Sequence, residues 1–356
     1  MRRWELKILD ELSVSKKTVW ELLDSIDFPL RDFFAIIGNL IREGLIGADG
    51  EGLYLTEKGL REIGGTLRPC VDICPRCLGK GIVFDGDLKR LVEEFRGIVK
   101  DRPTPALEYF QGYTLEEEVI ARIALMSLHE DLRDRRFILI GDDDLLSIAL
   151  SLTGLPSRIT VLDIDERLGS FITGVAARHG LDIEFRRYNV ADPLPEDLVG
   201  EFDVFSSEPL ETFSGLRAFI ARGVACLREE GAGYVGLTYL EASPRKWFMA
   251  QRLLSRMNCV LTDVIRGFSI YPMNYGGVNY EAFIHKLMEG LGVTIRENEG
   301  INWYKSTLYR FEVLGRPRLI VPPDKRLRVR FIDPVEDITQ VRLRRGKTYP
   351  HGGVST

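Results

Sequence analysis

Three consecutive carboxylates, Asp142, Asp143 and Asp144, follow an apolar run and a single glycine in the segment Phe137–Leu150, FILIGDDDLLSIAL. A turn of this kind, between a strand and a helix, ordinarily cradles phosphate and carries several glycines so that backbone N–H groups can close on the ligand. Here only Gly141 is kept, and the carboxylates would repel a pyrophosphate. The pattern disfavours NAD and ATP. It favours a nucleoside without phosphate and with a positive charge, an adenosyl sulfonium, beside a cationic amine. A helix N-cap accounts for one or two acids at such a turn. Three adjacent ones repel one another, and a cationic ligand relieves that repulsion.

The next apolar run ends in ITVLDIDERL, with Asp163 and Asp165. An acid at this point accepts hydrogen bonds from ribose hydroxyls. Asp163 is the expected ribose ligand; Asp165 is a second cofactor contact or the N-cap of the following helix. RRYNVADPLP offers Asn189 and Asp192 to the adenine edge, or forms a simple Asp-Pro turn. In FDVFSSEPLETFSGL, Glu208, Glu211 and Thr212 fall where an acceptor substrate would meet the sulfonium carbon. Two carboxylates around a proline can hold an ammonium and take its proton, although a helix starting near Glu211 would also favour acids there. Tyr271, Tyr275, Tyr280, Trp303 and Tyr304 follow in two aromatic stretches. Aromatic faces hold alkyl ammonium chains by cation–π contact, and Tyr271, Trp303 and Tyr304 are the candidates, with core packing as the commoner fate.

These residues need a scaffold that brings the ends of successive strands together. Apolar runs at 137–140, 159–162, 183–188, 202–206 and 232–238 alternate with helical patterns or loops, which predicts a parallel sheet covered on both faces. The fold class is α/β: a Rossmann-like domain of the class I methyltransferase type over 115–321, preceded by a winged-helix-like domain over 1–66. A cysteine-containing connecting region spans 67–114, and 322–356 reads as a flexible tail. In the first domain a helix is expected over Leu30–Arg42 and a hairpin around Asp49-Gly50. Thr114 with Glu117 reads as a capping box opening the helix before the first strand.

Bulk properties narrow the class. The chain has 356 residues, 45% of them hydrophobic, a formal net charge of −5 and five cysteines, an odd number. It suits two or three domains, no disulfide framework and a cytoplasmic setting. No apolar run approaches the ~18 residues of a membrane span. Few Gln and many ionic residues suit a thermophilic source. The negative charge and the Phe- and Ile-rich third helix argue against nucleic acid as a partner and for packing or homodimer formation. Cys70-x3-Cys74-x2-Cys77 is the one metal candidate, a zinc site or none; a radical cluster shares the spacing, but no barrel pattern accompanies it.

The chain resembles the branched-chain polyamine synthases, N(4)-bis(aminopropyl)spermidine synthases, along almost its whole length. The resemblance is carried by the N-terminal helices and hairpin, CPRCLGKGI, the Gly-Asp-Asp-Asp turn with its apolar helix, Asp192-Pro-Leu-Pro, Pro209-x-Glu-Thr and Trp303-Tyr-x-Ser. It implies aminopropyl transfer from decarboxylated S-adenosylmethionine to the N4 amine of spermidine, with an Asp among Asp142, Asp143 and Asp144 essential. The family's fourth-strand loop reads Asp-Pro-Pro-Glu-Thr, and here it is Glu208-Pro209-Leu210-Glu211-Thr212. The competing readings are an N-methyltransferase using S-adenosylmethionine, whose own carboxylate would sit badly beside three others, and a winged-helix regulator that senses a nucleotide or polyamine.

Overall fold

Phe33, Phe34, Ile36, Ile37 and Leu40 recur at helical spacing, and all five are buried on one side of a helix over Leu30–Arg42, as the periodicity predicts. The computed structural model describes residues 3–63, 74–275 and 281–333. Three helices, α1 (Arg3–Val14), α2 (Val19–Ser25) and α3 (Leu30–Arg42), lead into a hairpin of β1 (Ile46–Asp49) and β2 (Gly52–Leu55) and then α4 (Glu57–Ile63). The hairpin turns at Asp49, whose carboxylate accepts from the N–H groups of Glu51 and Gly52.

After α5 (Gly86–Val99) and α6 (Glu116–Leu128) the strand–helix alternation begins. It runs β3 (Arg136–Ile140), α7 (Leu146–Leu152), β4 (Arg158–Asp163), α8 (Glu166–His179), β5 (Glu184–Arg187), β6 (Phe202–Ser207), α9 (Phe213–Cys226), β7 (Leu227–Thr238) and α10 (Pro244–Arg256). The chain then continues through β8 (Cys259–Ile270), α11 (Glu281–Gly290) and β9 (Lys305–Val313). The sheet order is β5-β4-β3-β6-β7-β9-β8. Helices α5 to α8 pack with one face of the sheet, while α9 and α10 cover the other.

One expectation needs correcting: the sheet is mixed. β9 runs antiparallel between β7 and β8. The chain leaves β8 at the carboxyl edge of the parallel strands and re-enters β9 at that same edge, so β9 can only run back down. A second correction concerns Thr114. No capping box forms; α6 begins one residue later, at an N-cap Leu115 whose side chain has no acceptor, and the Thr114 hydroxyl donates to Asp144. Glu117 pairs with Arg96.

The amino-terminal unit closes on the sheet's carboxyl edge. Its core includes Tyr239, Leu240, Tyr271 and Trp303, and the Leu30 N–H donates to the Leu240 carbonyl at 3.0 Å. Residues 322–333, expected within the mobile tail, lie against α9: the Arg222 guanidinium donates to the carbonyls of Pro323 and Lys325, both at 2.6 Å. The rest of that tail, 334–356, lies outside the described residues, as do Cys70 and Tyr280. Among the described residues no helix is long and apolar enough to cross a membrane.

Candidate active site

In an open α/β sheet the crevice forms where strand order reverses, outside the carboxyl ends of the strands. Here that point lies between β3 and β6, and the Gly-Asp-Asp-Asp turn leaves β3 directly into it. Gly141 adopts φ +76, a left-handed value that favours glycine, and so directs the three carboxylates. They meet three different environments. Asp142 is buried; its carboxylate accepts from the Ser147 N–H at 3.3 Å, and its own N–H donates to Asp163 at 3.0 Å. Burial, with Asp163 and Asp144 nearby, pushes its carboxyl up to about 8 against the Ser147 hydrogen bonds. It is the acid that closes the helix start.

Asp143 is only partly buried and accepts from the Gly112 N–H at 3.0 Å. Burial and then the charge of Asp144 raise it well above the ordinary carboxylate range. Asp144 accepts from the Thr114 N–H at 2.7 Å and hydroxyl at 3.0 Å, with the Arg122 guanidinium at 3.4 Å. Facing them, Glu208 follows β6, accepts from Arg122, and takes the Tyr271 hydroxyl at 3.1 Å. Burial raises Glu208 to about 7, Arg122 opposing and Asp144 adding to the rise. A Cβ on Gly236 of β7 would stand 1.7 Å from the Glu208 carboxylate, so this glycine is what lets Glu208 lie flat across the strand. The narrow cleft between the turn and Glu208 is lined by Arg122, Asp143, Asp144, Ser206 and Glu208, among others.

A second acidic position lies beyond it. Glu211 accepts from the N–H and hydroxyl of Thr238 at the end of β7, and burial together with Glu241 raises it to about 8. Tyr304 stands between: burial raises its phenol, with Glu241, Glu211 and Tyr271 adding to the rise. Tyr271 and Tyr304 meet edge to face at 5.2 Å. Trp303 instead packs against Trp20 and Tyr304 in the amino-terminal core, and its indole N–H has no partner among the described residues.

At the end of β4, Asp163 is buried and accepts from the N–H groups of Asp142 and Asp165. Each of its oxygens keeps a lone pair for a hydroxyl. Asp165 is the N-cap of α8; burial would raise it, but the bonds from Arg167 and from Gln111 hold it low. Asn189 is exposed and bonded to the Ala191 N–H, and Asp192 pairs with Arg326 at 3.0 Å, the arrangement of a turn. Thr212 caps α9 and donates to the Arg330 carbonyl. Cys74 and Cys77 are free thiols, and no cluster of metal-ligating groups occurs among the described residues.

Sequence reasoning passed over three contributors: Arg122, Glu241 and the loop Gln111–Thr114. Arg122 had a signal, a lone cation inside the apolar stretch VIARIALM. The loop had none, because most of what it supplies is backbone N–H.

A sheet of this order, with a carboxylate at the end of β4 and an acidic turn at the switch point, defines a Rossmann-like fold of methyltransferase type. The branched-chain polyamine synthase A C-terminal domain family matches residues 90–338, and the chain belongs to that family. The N(4)-bis(aminopropyl)spermidine synthase of Thermococcus kodakarensis is 39% identical over 302 residues, covering 83% of this chain and 84% of its own. That of Thermus thermophilus is 37% identical over 304 residues, 85% of each. The crystal structure of the branched-chain polyamine synthase from Thermus thermophilus, in complex with N4-aminopropylspermidine and 5'-methylthioadenosine, superposes with a TM-score of 0.79. Its identity is 34%, over 92% of this chain and 91% of that one.

Proposed function

We propose that this protein transfers aminopropyl groups from decarboxylated S-adenosylmethionine to the N4 amine of spermidine, forming a branched polyamine and releasing methylthioadenosine. The observation that carries the reading is the buried acidic crevice at the switch point, where Asp142, Asp143, Asp144 and Glu208 cluster around the guanidinium of Arg122. Such a pocket attracts a sulfonium and a polyammonium, and it disfavours a donor that keeps its own carboxylate. The T. thermophilus relative holds the matching product pair, a branched polyamine and methylthioadenosine.

Asp163 is suited to the ribose hydroxyls, with the sulfonium above the Gly-Asp-Asp-Asp turn. The amine nitrogen must shed its proton before its lone pair can attack. Asp143, partly open and with a raised affinity for protons, is our choice of base. The new N–C bond forms as the C–S bond breaks; its electron pair goes to sulfur, which leaves as a neutral thioether. Alignment of nitrogen, carbon and sulfur is then most of what remains to be supplied. A second transfer needs only that the resulting tertiary ammonium be deprotonated again, and the negative pocket favours the fixed cation that forms. Glu211, Glu241, Tyr271 and Tyr304 are suited to the terminal ammoniums and the methylene chains.

The amino-terminal unit we read as a winged helix used for packing and homodimer contact, since the inner face of α3 is spent on its own core and its outer face carries few cations. A cytoplasmic setting, expected from the sequence, belongs to the same reading. Mass spectrometry of a reaction containing spermidine and decarboxylated S-adenosylmethionine tests the function. Branched product and methylthioadenosine are expected; S-adenosylhomocysteine formed only from the ordinary donor would overturn it.

A further inference from the structure

Arg122 is out of place on simple grounds. It sits in the middle of α6, 2% exposed, in a pocket that must receive two cations. A guanidinium there repels both ligands and is costly to bury. Its contacts account for it. The same terminal nitrogen reaches Glu208 on one side and Asp144 at 3.4 Å on the other, with the Ser269 hydroxyl at 3.4 Å. These partners come from three separate elements: the loop after β6, the turn after β3, and β8. The other charged or titratable groups facing this cluster are Asp142 and Asp143 from the turn, Asp163 at the end of β4, Glu118 on α6, Arg102 ahead of α6 and Tyr271 after β8; of these, Asp143 takes the Gly112 N–H and Tyr271 bonds to Glu208.

We propose that Arg122 is a positioning residue for the transfer: it pins the Asp144 and Glu208 side chains to one guanidinium and so leaves Asp143 as the carboxylate of the turn that meets the acceptor amine. The idea rests on the aminopropyl-transfer reading above. Without the guanidinium, Asp144 and Glu208 would lie together with nothing to hold them, Glu208 would bind its proton more tightly, and Asp143 would lose its distinction from its neighbours. Planarity matters, since a forked guanidinium spans two carboxylates where an ammonium binds as a point charge.

Arg122→Gln and Arg122→Lys in the full chain test this. Arg122→Gln is expected to lower kcat at least 100-fold with a smaller change in KM for spermidine, and to move the acid limb of the pH–rate profile upward by about one unit. Arg122→Lys, which keeps the charge, should recover part of kcat and leave the acid limb near its original place. Infrared titration of the carboxyl bands reads the same claim without turnover: Glu208 should titrate at higher pH in Arg122→Gln, assigned by its loss in Glu208→Gln. A folded Arg122→Gln whose acid limb and carboxyl titration both match the parent overturns the proposal. If Arg122→Gln does not fold, Arg122→Lys with an unchanged kcat overturns it equally, because the planar fork would then position nothing. If the parent protein forms no branched product while Arg122 still governs the carboxyl titration, the functional reading has failed and the ordering of the carboxylates stands.

Discussion

The two acidic positions of the cleft use one side-chain chemistry in two ways. Around Asp144 and Glu208 the charge is met inside the protein by Arg122, with Thr114 and Tyr271 completing the bonds. Around Glu211 it is met by the hydroxyl and N–H of Thr238, and the ammonium of Lys246, which also acts on Glu211, is shared with Asp333 at 3.0 Å. The first arrangement is fixed before any ligand arrives. The second is left short of positive charge, which is the condition a polyammonium can satisfy. On the proposed reading, a site that must both align a nitrogen and bind a flexible cation separates the two tasks in this way.

The sharpest way to break this contrast is Asp143→Asn. It should cost at least 100-fold in methylthioadenosine release with little loss of melting temperature. Asp142→Asn, at the helix start, should instead be felt mainly in stability; equal kinetic losses from both would erase the distinction drawn within the turn. Next in size, Glu211→Gln should raise KM for spermidine roughly 10-fold and change kcat only a few-fold. An effect on kcat alone would move Glu211 into the fixed half.

pH separates the halves less strongly but more generally. Asp142, Glu208 and Glu211 bind protons more tightly in the fold than in the unfolded chain, with values of about 8, 7 and 8. Their contribution to stability is therefore fully present below the unfolded carboxyl range, near pH 4, and is lost as pH rises through 7 to 8. The ligand-free protein should melt several degrees lower at pH 9 than at pH 6. Spermidine should restore more of that loss at pH 9, where the uncompensated anions have most to gain. A melting temperature that does not fall across this interval would show the carboxylates to be already neutralised. The smallest effect expected is that of Thr212→Val, about 1 kcal/mol of stability from the lost cap on α9, with turnover nearly unchanged. Circular dichroism and steady-state kinetics together check it.

Much of this architecture was legible in the residues. The alternation of apolar runs located β3 to β7, and the period of Phe33, Phe34, Ile37 and Leu40 bounded α3. The Gly-Asp-Asp-Asp turn announced its place because only one spot in such a sheet rewards three adjacent acids. Strand direction was not legible at β9, since a period of two reads the same in both senses. Thr114 carried a helix-start signature, yet a carboxylate 30 residues later captured its hydroxyl; local pattern cannot foresee a distant competitor. The loop at Gln111–Thr114 works largely through backbone, which leaves no mark in side-chain types.

The reversed strand has a consequence for how such a catalyst can change. Ile270 and Lys305 stand side by side across the β8–β9 ladder, so the chain leaves the sheet and returns to it at one hydrogen-bonded doorway. Everything between them, including Tyr271, Trp303 and Tyr304, hangs from that doorway as a detour. A detour whose ends already touch can be lengthened, shortened or exchanged at small cost in closure entropy. On the proposed reading, the acceptor side can thus be refitted for larger or smaller amines while the donor side, placed at β3 and β4, keeps its shape.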